Sequence, residues 1–536
     1  MITTTDKNAA RACFCCKCLY VEQAQIKLEN TDHFERVTDE SETEISERLD
    51  GFATRHGLAV TRGPEEKLRL PFFQLTAKMH KEPPAFRPIC CSRKTPMTRL
   101  AKAMSKAMRL VLDEMAQIWQ QQFLLHTGRT PPRSSMLATT QEFPLHLRAI
   151  QSQLQQPNSP LQDLIGFESQ DFESLYVEIP TTAAHERLPQ CVSLAFKHQA
   201  IKAGMKNSAA PNLIFVPSRG KSAYWATNRR DDADGDYLTP ALMMELIHYI
   251  LDNIYVAFGG RVYRQILGLP MGINCGVEFA VGFLASYELP FLVRQLQLFS
   301  DSLSRTARGH GRTHTVQALS QPLPPLLLGL FYFIRYVDDL FYGLLRGFAF
   351  ADYLYDERDN GGHDGIYPRE FIGPRGRIIT MPLSVKVSST GTEVNFLDVT
   401  VMLSRSERTD GVHSLHYKLY DKRRDNPRFA HTSQFPPMNS ILADPSKYSV
   451  LRAQMFRFDR NCSFATDFVE NTISLATEMI QAGYNKRRLV TEIRKFGSHW
   501  RKTSKSKGKW VHVMRKILSS LNARAIALRT CTHRGN

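Results

Sequence analysis

A chain of 536 residues, 43% hydrophobic and 23% charged, has the balance of a folded globular protein and is too long for one core, so three or four subdomains are expected. A net charge of +17 and a pI near 9.4 favour a polyanionic partner. The ten cysteines are scattered apart from one N-terminal cluster, which argues against a disulfide framework and for a reducing compartment.

The polar start, residues 1–10, reads as no secretory signal. The stretch 1–65 holds Cys13, Cys15, Cys16 and Cys18, then an acidic run over 29–50. Two overlapping Cys-x-x-Cys pairs offer half a zinc site, with His33 or His56 as partners, but four such crowded thiols suit one tetrahedral site poorly. A reduced, mobile terminus is the other reading. Next comes a basic hairpin: a turn at Pro83-Pro84 joins two short strands and puts Lys78 and Arg87 on its arms, where Arg suits bidentate phosphate contacts and Lys acts as a point charge. Residues 126–160, rich in Pro, Ser, Thr and Gln, read as a loop or linker.

Residues 167–179 predict a strand running to a turn at Pro180. On a strand, Asp171, Glu173 and Leu175 share one face and Phe172, Ser174 and Tyr176 the other. Residues 242–257 have helical spacing. In 265–272, Gly268 and Gly272 allow close backbone approach or positive φ beside Gln265. Apolar stretches at 281–292 and 323–334 are too short for a membrane span and carry Pro or Glu, so no membrane partner is expected. Residues 300–325 and 356–376 read as surface insertions. Strands are expected at 383–387 and 394–402, and helices from 448 onward.

The chemistry concentrates at Tyr336-Val337-Asp338-Asp339, between the apolar runs 331–335 and 340–345. The pattern predicts a β-hairpin that raises an acidic turn from a buried sheet. Unpaired carboxylates are costly to bury, and divalent metal is their natural partner. Asp171, on another strand, would converge with Asp338 and Asp339 within a few Å. Two Mg²⁺ ions (Mn²⁺ as a substitute) shared by these aspartates would stabilise the attacking and leaving oxygens of a phosphoryl transfer. Glu173 and Glu178 read as surface or structural acids.

Taken in order, 77–89, 171–180, 265–272, 335–340 and Asn395-Phe396-Leu397-Asp398, with Lys418 to Arg423 after them, resemble the motifs of reverse transcriptases, most closely those of Penelope-like retroelements. The resemblance covers residues 70–500. It implies an α+β right-hand polymerase with an antiparallel palm sheet and a helical thumb. The domains would be 1–65 as an extension, 66–165 fingers with linker, 166–405 palm, 406–500 thumb and 501–536 a basic tail. It implies RNA-templated extension of a DNA primer with deoxynucleoside triphosphates. Asp171, Asp338 and Asp339 match metal-binding catalytic aspartates. Lys78 and Arg87 match residues holding the triphosphate, and Tyr176 a ring set against a ribose 2′-OH. Gln265, Gly268 and Gly272 match a nucleotide- and template-contacting loop, and Asn395, Phe396, Leu397 and Asp398 a primer grip. Lys386 is a candidate to protonate pyrophosphate.

The chain departs from many reverse transcriptases at Met271, where Gln is common, and at Asn274-Cys275-Gly276. It shows no Gly-Ile-Tyr…Tyr-Ile-Gly endonuclease pattern. A non-catalytic nucleic-acid-binding derivative is the alternative, and the three aspartates favour catalysis. Telomerase and group II intron placements fit the Asp-x-x-Ser-Leu-Tyr and Asn-Phe-Leu-Asp strings less well. From Lys486 onward fifteen Lys or Arg face one acid, Glu492, which leaves about +3 on the rest of the chain. The segment beyond Ser498 is therefore expected to add non-specific phosphate contacts or to serve as a nuclear-targeting signal.

Overall fold

A computed structural model describes residues 2–5, 8–59, 68–78, 85–131, 136–155, 163–220, 222–230, 234–269, 272–307, 322–358, 362–405, 413–421, 423, 434–503 and 512–521. In chain order it begins with β1 (Ile2–Thr5), β2 (Asn8–Phe14), α1 (Lys17–Leu28), β3 (Phe34–Val37) and α2 (Glu42–Arg55). Next come β4 (Phe72–Lys78), β5 (Ala85–Cys91), the long α3 (Thr98–Thr127), α4 (Phe143–Leu154), β6 (Leu164–Phe172), the one-turn α5 (Leu175–Glu178) and α6 (Thr181–Met205). A small sheet of β7 (Leu213–Pro217), β8 (Tyr224–Ala226) and β9 (Gly235–Leu238) leads to α7 (Pro240–Asp252), β10 (Tyr255–Phe258), β11 (Arg261–Gln265), α8 (Gly276–Ala307) and α9 (Pro325–Tyr332). Then follow β12 (Ile334–Tyr336), β13 (Asp339–Leu345), β14 (Glu370–Ile372), β15 (Ile378–Thr380), β16 (Val385–Gly391), β17 (Glu393–Phe396), β18 (Val399–Arg405) and β19 (His413–Leu419). Helices α10 (Asp444–Asn461), α11 (Ala465–Gln481), α12 (Lys486–Thr503) and α13 (512–521) close the described chain.

The chain divides into two compact units, Met1–Leu137 with Gln170–Val387, and Ala138–Ser169 with Ser388–Asn536. The first contains a sheet in the order β2-β1-β4-β10-β11-β3, with β5 on the other edge of β4. The N-terminal strands β1, β2 and β3 thus belong to this sheet. Tyr20, Ala24 and Leu28, one face of α1, pack with Phe73, Leu75, Val256 and Tyr263. Cys13 lies in β2 and Cys16 caps α1, so the cysteine cluster sits in ordered structure, not in a mobile terminus. Helices α3, α6 and α8 pack against one another. Although α8 is apolar and long enough to cross a membrane, 83% of its most apolar window is buried inside the fold, as in a core helix. A second sheet has the order β12-β13-β6-β16, and β6 and β16 are the strands on which the chain passes between units.

The second unit holds the sheet β17-β18-β19 and helices α4 and α10–α13. Within the expected linker at 126–160, residues 143–154 form a helix instead. α3 runs to Thr127, where Gly128 at φ +67° caps it, and α4 follows with Pro144 in its first turn. Phe143, Leu147, Ile150 and Leu154 are buried along one face of α4, and Phe143 meets Phe396 edge-on at 4.7 Å. The boundary expected at residue 500 also moves. Val513, Ile517 and Leu521 of α13 join Leu451, Met455, Ile473, Leu489 and Phe496 in one core, so the helical bundle extends into the supposed tail. Helix α8 runs to Ala307, into the insertion expected at 300–325; 308–321 lie outside the described residues, as do 504–511 and 522–536.

Candidate functional site

The acidic turn forms as its sequence requires. Ile334↔Phe341, Arg335↔Leu340 and Tyr336↔Asp339 pair antiparallel, leaving Val337 and Asp338 as a two-residue turn. Val337 adopts φ +56°, a conformation that β-branched residues rarely take and that costs about 1–3 kcal/mol. The turn is held from outside. The Phe172 N–H donates to the Asp338 carbonyl at 3.0 Å, the Leu137 N–H to the Arg335 carbonyl at 2.9 Å, and Arg335 Nη1 to the Val337 carbonyl at 3.1 Å.

These bonds bring Asp171, at the end of β6, beside Asp338. Both line an open cleft of about 400 Å³ together with Lys78, Arg87, Tyr176 and Gln265. Asp339 does not line it. It opens β13 and pairs with Tyr336 across the hairpin. Among the described residues no group of three or more His, Cys, Asp or Glu side chains, the N-terminal cysteines included, is gathered to hold a metal ion. Two carboxylates still fit Mg²⁺, a hard cation that is usually held by one or two carboxylates and substrate phosphates. The donor set of Asp171 and Asp338, faced by the cations Lys78 and Arg87, has that character.

The cations stand on the β4–β5 hairpin, where Lys78 pairs with Ala85 and Arg87 with Thr76. The tip, 79–84 with its two prolines, lies outside the described residues. Beyond Phe172 the strand reading fails. Ser174 takes φ +57° and the chain turns into α5, so Tyr176 reaches the cleft from a helical turn and not from an alternating strand. Burial, then the Asp338 carboxylate, Glu278 and Tyr336, push its phenol well above the usual tyrosine range. Glu173 is exposed, and Glu178 lies 3.8 Å from His33.

The 265–272 loop is pinned at both glycines. Gly268 has φ +87°, its N–H donates to the Ile179 carbonyl at 3.0 Å, and the Leu269 N–H donates to the Tyr176 carbonyl at 2.5 Å. A Cβ on Gly268 would lie 2.6 Å from the carbonyl oxygens of Tyr176 and Val177. Gly272 has φ +116° and presses against Cys90, while Ser92 Oγ donates to its carbonyl at 2.6 Å. Gln265 is 4% exposed and its Nε2 donates to the Leu267 carbonyl at 2.8 Å, so it braces the loop from inside. Pro270 and Met271 lie outside the described residues.

Sequence reasoning missed part of the cleft wall. Lys27, Asn30 and His33, from α1 and the turn before β3, line it as well. His33 also holds the loop, its carbonyl accepting from the Ile266 N–H at 2.8 Å. The signal available was the Tyr20, Ala24, Leu28 periodicity, which marks α1 as a packed helix.

In the second unit, Asn395 to Asp398 form the β17–β18 hairpin, with Phe396 paired to Val399 and Leu397 at φ +54°. Phe396 is 3% exposed and packs inward against Phe143. Asn395 Oδ1 accepts from Thr400 Oγ1 at 2.6 Å, and Asp398 pairs with Arg457 of α10 at 2.8 Å. Lys386 is exposed on β16, and Lys422 lies outside the described residues.

With this geometry in place, the chain is similar to the telomerase of Candida albicans solved in complex with a TWJ fragment of telomeric RNA. The TM-score is 0.50 at 9% identity, covering 97% of this chain and 71% of that one. The chain has the right-hand polymerase fold. Telomerase from Candida tropicalis is also similar, with its RNA fragment (TM-score 0.40, 11% identity, 96% of this chain and 67% of that one) and without it (0.38, 12%, 89% and 66%). No family model and no curated protein matches the chain.

Proposed function

We propose that the chain is an RNA-directed DNA polymerase of the Penelope-like retroelement kind, extending a DNA primer on an RNA template. One observation carries this reading: within a right-hand fold, Asp171 on β6 and Asp338 in the turn bonded to that strand share a cleft with Lys78 and Arg87. The primer 3′-hydroxyl gives up its proton to water as its oxygen attacks the α-phosphorus of a deoxynucleoside triphosphate, the bond to the β-phosphate oxygen breaks, and pyrophosphate leaves. Asp171 and Asp338 would hold Mg²⁺, which when bound polarises the phosphoryl oxygens and acidifies the attacking hydroxyl. Lys78 and Arg87 bind the triphosphate. Tyr176, fixed through its own carbonyl to the Gly268 loop, excludes a ribose 2′-OH by contact.

Primer extension on a simple RNA template tests the reading. Wild type extends, and Asp338→Asn loses extension while keeping RNA affinity. A wild-type chain that binds RNA as the variant does but extends nothing would refute it and mark a non-catalytic nucleic-acid-binding derivative.

A further inference from the structure

Behind the acidic turn lies a polar cluster that the proposed chemistry does not use. Arg335 is 1% exposed, Glu288 2% and Tyr367 fully buried. Glu288 Oε1 accepts from Arg335 Nε at 2.5 Å and from the Tyr367 hydroxyl at 2.7 Å, and its Oε2 accepts from Arg335 Nη2 at 2.9 Å. Arg335 donates further to the carbonyls of Val281, at 3.2 Å, and Val337. Burial works against the guanidinium charge, yet Glu288 holds its pKa above the usual arginine range.

Such a cluster is a poor device for stability alone, because well-packed apolar residues of similar volume commonly serve a core as well. What they could not supply is directed bonding to the turn. Val337 carries a backbone conformation unsuited to its side chain, and Arg335 fixes its carbonyl. Tyr367 reaches the other acidic strand, its ring edge-on to Phe172 at 5.4 Å, next to Asp171. One network therefore touches α8, the Asp338 turn and the neighbour of Asp171.

We propose that Glu288, Arg335 and Tyr367 are positioning residues that set the separation of Asp171 and Asp338, and so the affinity of the cleft for its divalent ion. This rests on the polymerase reading. The proposal goes beyond packing, because a merely structural cluster would lower the melting temperature without moving metal affinity.

The test uses the full chain with Tyr367→Phe, which keeps the ring against Phe172 and removes one hydrogen bond, and Arg335→Lys, which keeps the charge and loses the fork. Mn²⁺ binding is read by electron paramagnetic resonance without nucleotide, and extension is titrated with Mg²⁺. Both variants should bind Mn²⁺ about 10- to 100-fold more weakly and need correspondingly more Mg²⁺, the range seen when groups supporting metal ligands are removed. The KM for nucleotide at saturating Mg²⁺ should stay within about twofold, since triphosphate contacts are untouched. Should Arg335→Lys fail to fold, Tyr367→Phe decides alone. Unchanged Mn²⁺ affinity with a lowered melting temperature would overturn the proposal and leave the polymerase reading standing. Equal Mn²⁺ binding by wild type and Asp338→Asn would overturn both.

Discussion

Gly268 packs against the backbone of α5 behind the cleft, and replacing it with alanine separates two costs that glycines usually combine. The first is backbone strain: at φ +87° a Cβ costs about 1–2 kcal/mol. The second is steric. The new Cβ would meet the carbonyl oxygens of Tyr176 and Val177 at 2.6 Å and the Val177 Cα at 2.7 Å, all backbone atoms that no side-chain rotation can clear. Overpacking of that kind adds about 1–3 kcal/mol. Gly260, in the β10–β11 turn, is the internal control. Its φ is +74° and nothing lies within 4 Å of the added Cβ, so Gly260→Ala carries the strain alone. Denaturant titration should therefore show Gly268→Ala losing roughly 2–5 kcal/mol against about 1–2 kcal/mol for Gly260→Ala. The displaced loop gives up the Leu269 N–H bond to the Tyr176 carbonyl and moves the ring, so Gly268→Ala should also raise the nucleotide KM and relax sugar selection while Gly260→Ala leaves both alone. Equal stability losses in the two variants, with nucleotide kinetics unmoved in both, would refute the close-approach reasoning.

Tyr176→Ala should raise ribonucleotide incorporation relative to deoxyribonucleotide, read as a ratio of kcat/KM values; an unchanged ratio would leave Tyr176 an ordinary packed tyrosine. In the second unit, burial pushes the Asp459 carboxyl above its usual range, against the Trp500 Nε1–H bond of 3.0 Å and Arg148. Its contribution to stability is therefore full below the unfolded carboxylate pKa and is lost as pH rises through the raised folded value. Asp459→Asn, whose amide oxygen still accepts from Trp500, should melt higher than wild type at pH 7, with the gap closing as pH falls below the carboxylate range; a gap independent of pH would contradict this. Truncation after Ser498 removes Val513, Ile517 and Leu521 from the core, a loss of roughly 5 kcal/mol of burial, and should unfold or loosen the bundle, whereas truncation after Leu521 should keep the melting temperature and lose only three arginines. Equal melting of the two truncations would show that α13 does not support the core.

What could be read from the residues was local. The apolar runs around Asp338 and the two-residue spacing Tyr336 to Asp339 are enough to specify a hairpin, and two glycines four apart are enough to mark a tight loop. Errors began where a local rule was extended one step too far. Composition called 126–160 a linker, although Phe143, Leu147, Ile150 and Leu154 already carry helical spacing; Pro and Gln count against a helix only in its interior, and Pro144 stands in the first turn. Strand alternation was carried through Ser174, whose positive φ ends it. Net charge made the C-terminus a tail, although charge on one face of a helix says nothing of Val513, Ile517 and Leu521 on the other.

The remaining gap is one of kind. Lys27, Asn30 and His33 reach the cleft only because β3 pairs with β11, with Phe34 opposite Gln265, and no spacing within the first 65 residues encodes that pairing. The same holds for Glu288 and Tyr367, unremarkable in their own segments and decisive only where both meet Arg335. Arg335 was in plain view in the most informative stretch of the chain, a charge inside an apolar run. The cost of burying it alone requires a buried acid or carbonyls to receive it, so the existence of a partner could be inferred while its identity could not. Groups that do chemistry must lie close to the reacting atoms and tend to fall within short motifs, whereas the groups that orient them can come from anywhere the fold returns. For this chain, the carboxylates are a local property of the sequence and their separation is a property of the fold.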